Sequence, residues 1–226
     1  CAGIVAAAIN NSIGMAGLAQ VHVMAEKALT LDGWGHYSWI TQAIYHAVAA
    51  GAKIISMSFG GAEDSPSVHD AIKYAYNHGV LLVAAAGNEG NSFPNYPAAY
   101  DEVIAVSASD PDDNIAVFSS YGNWIELAAP GVHIYSTLPT YNATLNEPPY
   151  NKTLNYDYLS GTSMACPHVA GVAALVWSAF PNNTRDKIRQ ILKRTADDLG
   201  DVGFDQFYGY GRINAKRAVA GIPEHD

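Results

Sequence analysis

The stretch Val80-Leu81-Leu82-Val83-Ala84-Ala85-Ala86, closed by Gly87-Asn88-Glu89-Gly90, decides the fold. An uninterrupted apolar run stops abruptly at a turn. A strand with one wet face would alternate apolar and polar. A strand apolar on both faces suits a parallel sheet covered by helices on each side. Working outward, Lys53-Ile54-Ile55-Ser56-Met57-Ser58-Phe59 reads as a second strand ended by Gly60-Gly61, and Val103 to Ser107 as a third. Ser67 to His78 places Val68, Ala71, Ile72 and Ala75 at helical spacing, as Tyr37 to Ala50 does with Ile40, Ala43, Ile44, Ala47 and Val48. Upstream, residues 1–8 read as a buried helix, Asn10 to Gly14 as a turn, and Val21 to Ala28 as a strand broken by Asp32-Gly33-Trp34-Gly35. Downstream, 114–160 reads as shorter strands and loops, with a polar, Tyr-rich surface excursion at 142–158. Thr162 to Phe180 is an apolar helix. Thr184 to Arg194 is an amphipathic one, with Thr184 as N-cap and Asp186 in its first turn. Strands alternating with helices predict an α/β domain.

Composition agrees. The chain has 226 residues, 49% hydrophobic and 15% charged, which excludes disorder. A net charge of −9 without a Lys/Arg cluster excludes nucleic acid and anionic membranes as partners. No run is apolar and long enough to span a bilayer. The two cysteines, Cys1 and Cys166, have no zinc-type spacing and are expected to be free, buried thiols. The apolar start, Cys1 to Ile9, has no basic residue before Lys27 and is not a signal peptide; without an initiator Met, the chain reads as cut from a longer one.

Chemistry concentrates in Gly161-Thr162-Ser163-Met164-Ala165-Cys166-Pro167-His168-Val169-Ala170-Gly171. Gly161 permits a tight entry turn. Ser163 then opens a long apolar helix, whose N-terminal N–H groups favour an anion forming beside the serine. Pro167 is expected in the first helical turn. The plainer reading of Ser163 is an N-cap on a buried helix. Asn88, just past the end of an apolar strand, could donate from its amide into a cleft at the carboxyl ends of the sheet. Ser58-Phe59-Gly60, ending another strand, could pair with an extended peptide.

In this order, these elements resemble the subtilisin-like serine proteases, and the resemblance covers nearly the whole chain. Supporting matches are Asn10-Asn11-Ser12-Ile13-Gly14, Tyr37-Ser38-Trp39-Ile40, Ala128-Ala129-Pro130-Gly131-Val132 and Gly209-Tyr210-Gly211-Arg212-Ile213-Asn214. The resemblance implies a three-layer α/β/α fold with a mainly parallel central sheet, incomplete at the N-terminus, so that residues 1–226 form part of a peptidase domain. It implies that Ser163 is the nucleophile, and that the Asn88 amide and the Ser163 N–H form the oxyanion hole. Ser58-Phe59-Gly60 and Gly33-Trp34-Gly35 would bracket a peptide substrate as an added strand. Ala85-Ala86-Gly87 and Asn95 would line the pocket for the residue before the cut, with Glu89 at its rim able to tolerate basic side chains. Trp34 and Tyr37 would shape a second apolar pocket. The loop Ile9 to Met15 is similar to a family calcium loop, with the Asn11 side chain and the carbonyls of Ile9, Ile13 and Met15 as ligands to a structural calcium. The family is usually secreted; N-x-S/T triplets start at Asn10, Asn142, Asn151 and Asn182.

The family's catalytic Asp and its His-Gly-Thr-His stretch have no counterpart in residues 1–226. His168 falls on the serine's own helix and is expected to be a buried structural residue; His36 and His225 are no better placed as bases. Without a base a serine hydroxyl is a weak nucleophile. The expectation is therefore an N-terminal segment or chain that brings both Asp and His, together with a sheet left open where the Asp strand belongs. A non-catalytic fragment or pseudoprotease that binds peptides or a partner is the alternative. An α/β-hydrolase elbow is disfavoured, since it needs Gly where Ala165 stands.

Overall fold

The computed structural model describes residues 1–221, which leaves His225 outside the described residues. Its centre is a four-stranded parallel sheet in the order β1-β2-β3-β4, formed by Ile54–Met57 (β1), Leu81–Ala85 (β2), Val103–Ser109 (β3) and Leu127–Pro130 (β4). Register runs Ile54 to Leu81, Leu82 to Val103, and Val106 to Leu127. Every residue of β2 and β3 is buried, as the continuous apolar run requires. The strand period of two splits these residues between two cores. Leu81, Val83, Ala85, Ile104, Val106 and Leu127 face one core; Val80, Leu82, Ala84, Ala86, Val103 and Ala105 face the other.

Helices close both sides. Tyr37–Ala49 (α2) places Ile40 and Ile44, and Pro66–Asn77 (α3) places Val68, Ala71, Ile72 and Ala75, in the second core; Ala47 of α2 is buried as well. Thr162–Ala179 (α4) is apolar almost all round because it is enclosed by the first core and Ala2–Ala6 (α1). Arg185–Arg194 (α5) starts at Thr184, whose hydroxyl accepts from Lys187 N at 3.3 Å. Ala215–Ala220 (α6) packs on α4. The result is the three-layer α/β/α sandwich. Arg189 fastens α5 to the sheet: it pairs with Glu126 and donates to the carbonyls of Asp101 and Val103 at 3.0 and 3.2 Å. No helix among the described residues is long and apolar enough to cross a membrane.

Three expectations are corrected. The N-terminal helix covers only Ala2–Ala6, and of its residues Gly3 and Ile4 alone are buried. Val21 to Ala28 is not a strand: it has no sheet partner, and Val21, Val23 and Met24 are exposed, leaving Ala28 to pack beside Ile40 and Ile44. The region 114–160 does hold short strands and loops: Leu127–Pro130 joins the main sheet as its fourth strand, and Ile134–Thr137 (β5) and Tyr156–Leu159 (β6) form a separate antiparallel pair. Cys1 is exposed; only Cys166 is buried, and both are free.

The correction to the sheet has a physical reason. β1 is its edge, and Ser56 in the middle of β1 is exposed while β2 and β3 are wholly covered. The chain enters α2 from the 21–28 segment and leaves it into β1. An apolar segment with no neighbour to pair with cannot make a ladder.

Candidate active site

The first core delivers the N-terminus of α4 to the carboxyl ends of β1 and β2. Gly161 enters with φ +152° and ψ 158°, a backbone conformation that only glycine adopts readily. Thr162 follows, fully buried, and Ser163 is half-buried. Thr162 links the two sequence motifs. Its N–H and hydroxyl both donate to Asn88 Oδ1, at 2.8 and 3.1 Å, and its hydroxyl oxygen accepts from Gly87 N at 3.1 Å. With its oxygen held twice, the Asn88 amide cannot turn over, and Nδ2 is left as a donor. The point where a β-carbon on Gly161 would lie is 3.6 Å from Asn88 Oδ1 and 3.7 Å from both Asn88 Nδ2 and Ser163 N, so the Asn88 amide and the Ser163 backbone N–H border the same side of the Gly161 turn. An oxyanion there would need both N–H groups as donors. Thr162 was not singled out from sequence; the available signal was a polar residue between a turn glycine and an otherwise apolar helix.

Pro167 lies inside α4, not in its first turn as expected. It lacks the N–H that would have bonded to the carbonyl four residues earlier, Ser163 O. That carbonyl is satisfied from outside the helix, by Ser58 Oγ at 3.0 Å and Cys1 Sγ at 3.2 Å. The Ser163 hydroxyl in turn donates to Ser58 O at 3.2 Å. Ser58, read as a substrate edge, therefore also braces the serine.

No histidine ring among the described residues bonds the Ser163 hydroxyl. His168 points back along its helix, with Nδ1 2.8 Å from Met164 O, and burial lowers its pKa. Beneath the site, Cys166 contacts Ser56 Oγ at 3.4 Å, and burial raises its thiol pKa. It is an inert packing residue.

The remaining candidates divide into groups. Ser58, Phe59 and Gly60 follow β1, and Ala85, Ala86 and Gly87 end β2, so their backbones lie on neighbouring strands. Asn95 reaches both: a β-carbon on Gly60 would lie 2.4 Å from Asn95 Oδ1, and one on Gly87 would lie 2.2 Å from Asn95 Nδ2. Gly33, Trp34 and Tyr37 are exposed, Gly35 half-buried, and the turn is held by a Thr30 N–H bond to Trp34 O at 2.7 Å. Tyr37 donates its hydroxyl to Glu63 at 3.3 Å. In the loop Ile9 to Met15, left-handed residues at Asn10, Ser12 and Gly14 alternate with Asn11 and Ile13. Asn11 Oδ1 accepts from Ile13 N at 3.1 Å and so is used within the loop. No group of three or more His, Cys, Asp or Glu able to hold a metal occurs among the described residues.

Residues 1–211 match the model of the subtilase family, peptidase S8. Thermitase of Thermoactinomyces vulgaris is 43% identical over 220 residues, covering 97% of this chain and 73% of that protein. Subtilisin DY of Bacillus licheniformis is 43% identical over 218 residues, covering 94% of this chain and 74% of that protein. Among solved structures, the psychrophilic subtilisin-like protease Apa1 of Pseudoalteromonas sp. AS-11 superposes with a TM-score of 0.83 at 26% identity, covering 97% of this chain and 82% of that one.

Proposed function

This chain belongs to the subtilase family of serine peptidases, and we propose that it hydrolyses peptide bonds through an acyl-enzyme on Ser163. The observation that carries this is that Thr162 holds Asn88 Oδ1 with two hydrogen bonds next to Ser163, which leaves the Asn88 amide Nδ2 and the Ser163 N–H as neighbouring donors for an oxyanion. An extended peptide would lie between Ser58-Phe59-Gly60 and Gly33-Trp34-Gly35 and pair with their backbones. The Ser163 hydroxyl attacks the scissile carbonyl, whose oxygen gains negative charge between the two donors. The C–N bond then breaks, the amine leaves with a proton, and water releases the acyl group.

The proton on the hydroxyl needs a base, and the hydroxyl's present acceptor is the Ser58 carbonyl, which cannot serve as one. The Asp and His are proposed to come from an additional N-terminal segment of the polypeptide, its Asp strand adding to the open edge of β1. What supports this is the edge position of β1, paired on the β2 side alone and exposed at Ser56, and the Val21 to Ala28 segment, which has no strand partner. The hydroxyl's bond to Ser58 is also what favours the second reading, a peptide-binding module without catalysis.

A fluorophosphonate probe separates the two. In the full-length protein it is expected to leave one adduct on Ser163, abolished by Ser163→Ala. A folded full-length protein that takes no label would overturn the catalytic reading.

The Ile9 to Met15 loop is proposed as part of a structural calcium site. Asn11 Oδ1 and the carbonyls of Ile9, Ile13 and Met15 supply fewer than the six to eight oxygens calcium takes, so the rest would come from other segments. A thermal midpoint that falls on chelation and recovers with calcium, but not magnesium, supports this. We also propose that the protein is secreted, in keeping with its family and with exposed triplets at Asn142, Asn151 and Asn182; cell fractionation tests it.

A further inference from the structure

We propose that Asn142 and Asn151 each carry an N-linked oligosaccharide, and that the exposed ring immediately before each asparagine, Tyr141 or Tyr150, stacks on the first sugar. The proposal rests on the reading above that the protein is secreted, because this attachment is made on chains that leave the cytoplasm.

The excursion between β5 and β6 holds one four-residue pattern twice, Tyr141-Asn142-Ala143-Thr144 and Tyr150-Asn151-Lys152-Thr153. The triplet N-x-T is an acceptor for asparagine-linked sugar and calls for a surface position. Asn142 and Asn151 are both exposed. Asn142 lies in irregular chain just ahead of the short helical turn Thr144–Asn146, and its side chain bonds no other described residue. Asn151 has φ +48° and one long side-chain bond, Nδ2 to Pro149 O at 3.4 Å. An amide nitrogen carries two hydrogens, so a sugar can replace one while this contact keeps the other.

A single side chain holds both triplets. Asn146 Oδ1 accepts from Ala143 N at 2.8 Å, and Asn146 Nδ2 donates to Lys152 O at 2.9 Å. Ala143 and Lys152 are the middle residues of the two triplets. Lys152 N closes the loop on Leu145 O at 2.8 Å. The excursion is clamped through these middle residues, and neither acceptor asparagine's side chain belongs to the clamp. Sugar on either amide therefore leaves the clamp intact.

The tyrosines are the second, independent observation. Tyr141 is 70% exposed and Tyr150 is 52% exposed, and neither ring pairs with another among the described residues. On the adjoining strands, by contrast, Tyr135 packs against Tyr158 and Tyr156 with centroids 5.0 and 5.9 Å apart. An unpaired exposed ring leaves its apolar faces in water. The first sugar of an N-linked chain presents a face of C–H groups that covers one. Asn10 and Asn182 follow Ile9 and Pro181 instead, have no such ring before them, and are expected to stay bare.

The co-reactant is an oligosaccharide carried on a polyprenyl diphosphate. The bond from the sugar's C1 to the asparagine Nδ2 forms, and the C1–O bond to the diphosphate breaks. The amide gives up one proton, and the lipid diphosphate leaves.

Full-length protein from its natural source, taken separately from cells and from medium, is analysed by intact mass and by glycopeptide sequencing. Sugar is expected at Asn142 and Asn151 and absent from Asn10 and Asn182. Asn142→Gln and Asn151→Gln should each remove one oligosaccharide from the intact mass. Thr144→Ala should remove the same oligosaccharide as Asn142→Gln although the asparagine remains. Asn142→Gln should also lower the thermal midpoint by about 2 °C, and only while Tyr141 is present. Bare Asn142 and Asn151 in both fractions overturn the proposal. An equal drop in midpoint in the Tyr141→Ala background, or equal occupancy of Asn10 and Asn182, overturns the part given to the tyrosines. Fractionation reads secretion separately: bare protein in the medium refutes the oligosaccharides and keeps the secreted reading, and glycosylated protein held in cells does the reverse.

Discussion

Replacing Thr162 with valine keeps the shape of the side chain and deletes one oxygen. That oxygen donates to Asn88 Oδ1 at 3.1 Å and accepts from Gly87 N at 3.1 Å, in a fully buried position. The Gly87 N–H would be left without an acceptor, which costs about 1–3 kcal/mol of stability. Asn88 would keep a single tether, the 2.8 Å bond from Thr162 N, and could swing. One oxyanion donor is worth about 2.7–4 kcal/mol in the transition state. Losing one of the two bonds that aim it should forfeit about 1 kcal/mol, or roughly a fivefold slower acylation. Urea unfolding should show a lower midpoint with an unchanged slope, the mark of lost stability without a change in exposed surface. The fluorophosphonate labelling rate of full-length protein reads acylation. The decisive measurement is a cycle with Asn88→Ala: if Thr162 acts through Asn88, the valine substitution slows labelling only while Asn88 is present. An equal slowing in the Asn88→Ala background, or stability unaltered within about 0.5 kcal/mol, would refute the aiming role.

Asn88→Ala alone should slow labelling and turnover by about 10²–10³, with little change in KM, because its amide acts on charge that develops only in the transition state. Arg189→Met should cost about 3–5 kcal/mol by urea titration, since it strands Glu126 and two carbonyls at the edge of the core. His168 gives a pH dependence: burial lowers its folded pKa, so the unfolded chain takes up the proton first, and its contribution is present above about pH 6.5 and lost as pH falls. His168→Gln should flatten the stability profile between about pH 7 and 5, whereas an unchanged profile would show that His168 is not the titrating group.

Much of the architecture was legible because β2 is unambiguous. Seven consecutive apolar residues bounded by Gly87 can be buried on both sides only in a covered sheet, and the two cores divide them alternately. Val21 to Ala28 misled for the complementary reason: its composition suits a strand, but pairing depends on a neighbour that a local pattern does not reveal. Leu127–Pro130 was obscured by its shortness, and its place comes from long-range register with β3. In the site, Ser163 and Asn88 stood out through the motifs around them. Thr162 and the bracing by Ser58 did not, because both depend on contacts between segments more than seventy residues apart. Pro167 was placed too early because a proline usually forbids a helix interior. Here Ser58 and Cys1 supply the bonds that make it tolerable.

The exchange between Ser58 and Ser163 has a bearing on how an empty cleft behaves. The hydroxyl rests on the Ser58 carbonyl, which belongs to the same edge on which an incoming peptide is proposed to pair. A carbonyl oxygen accepts two hydrogen bonds, so a peptide N–H could join the hydroxyl on this acceptor without displacing it. Under the proposed function, the resting bond of the serine and the pairing of the substrate therefore meet on one atom.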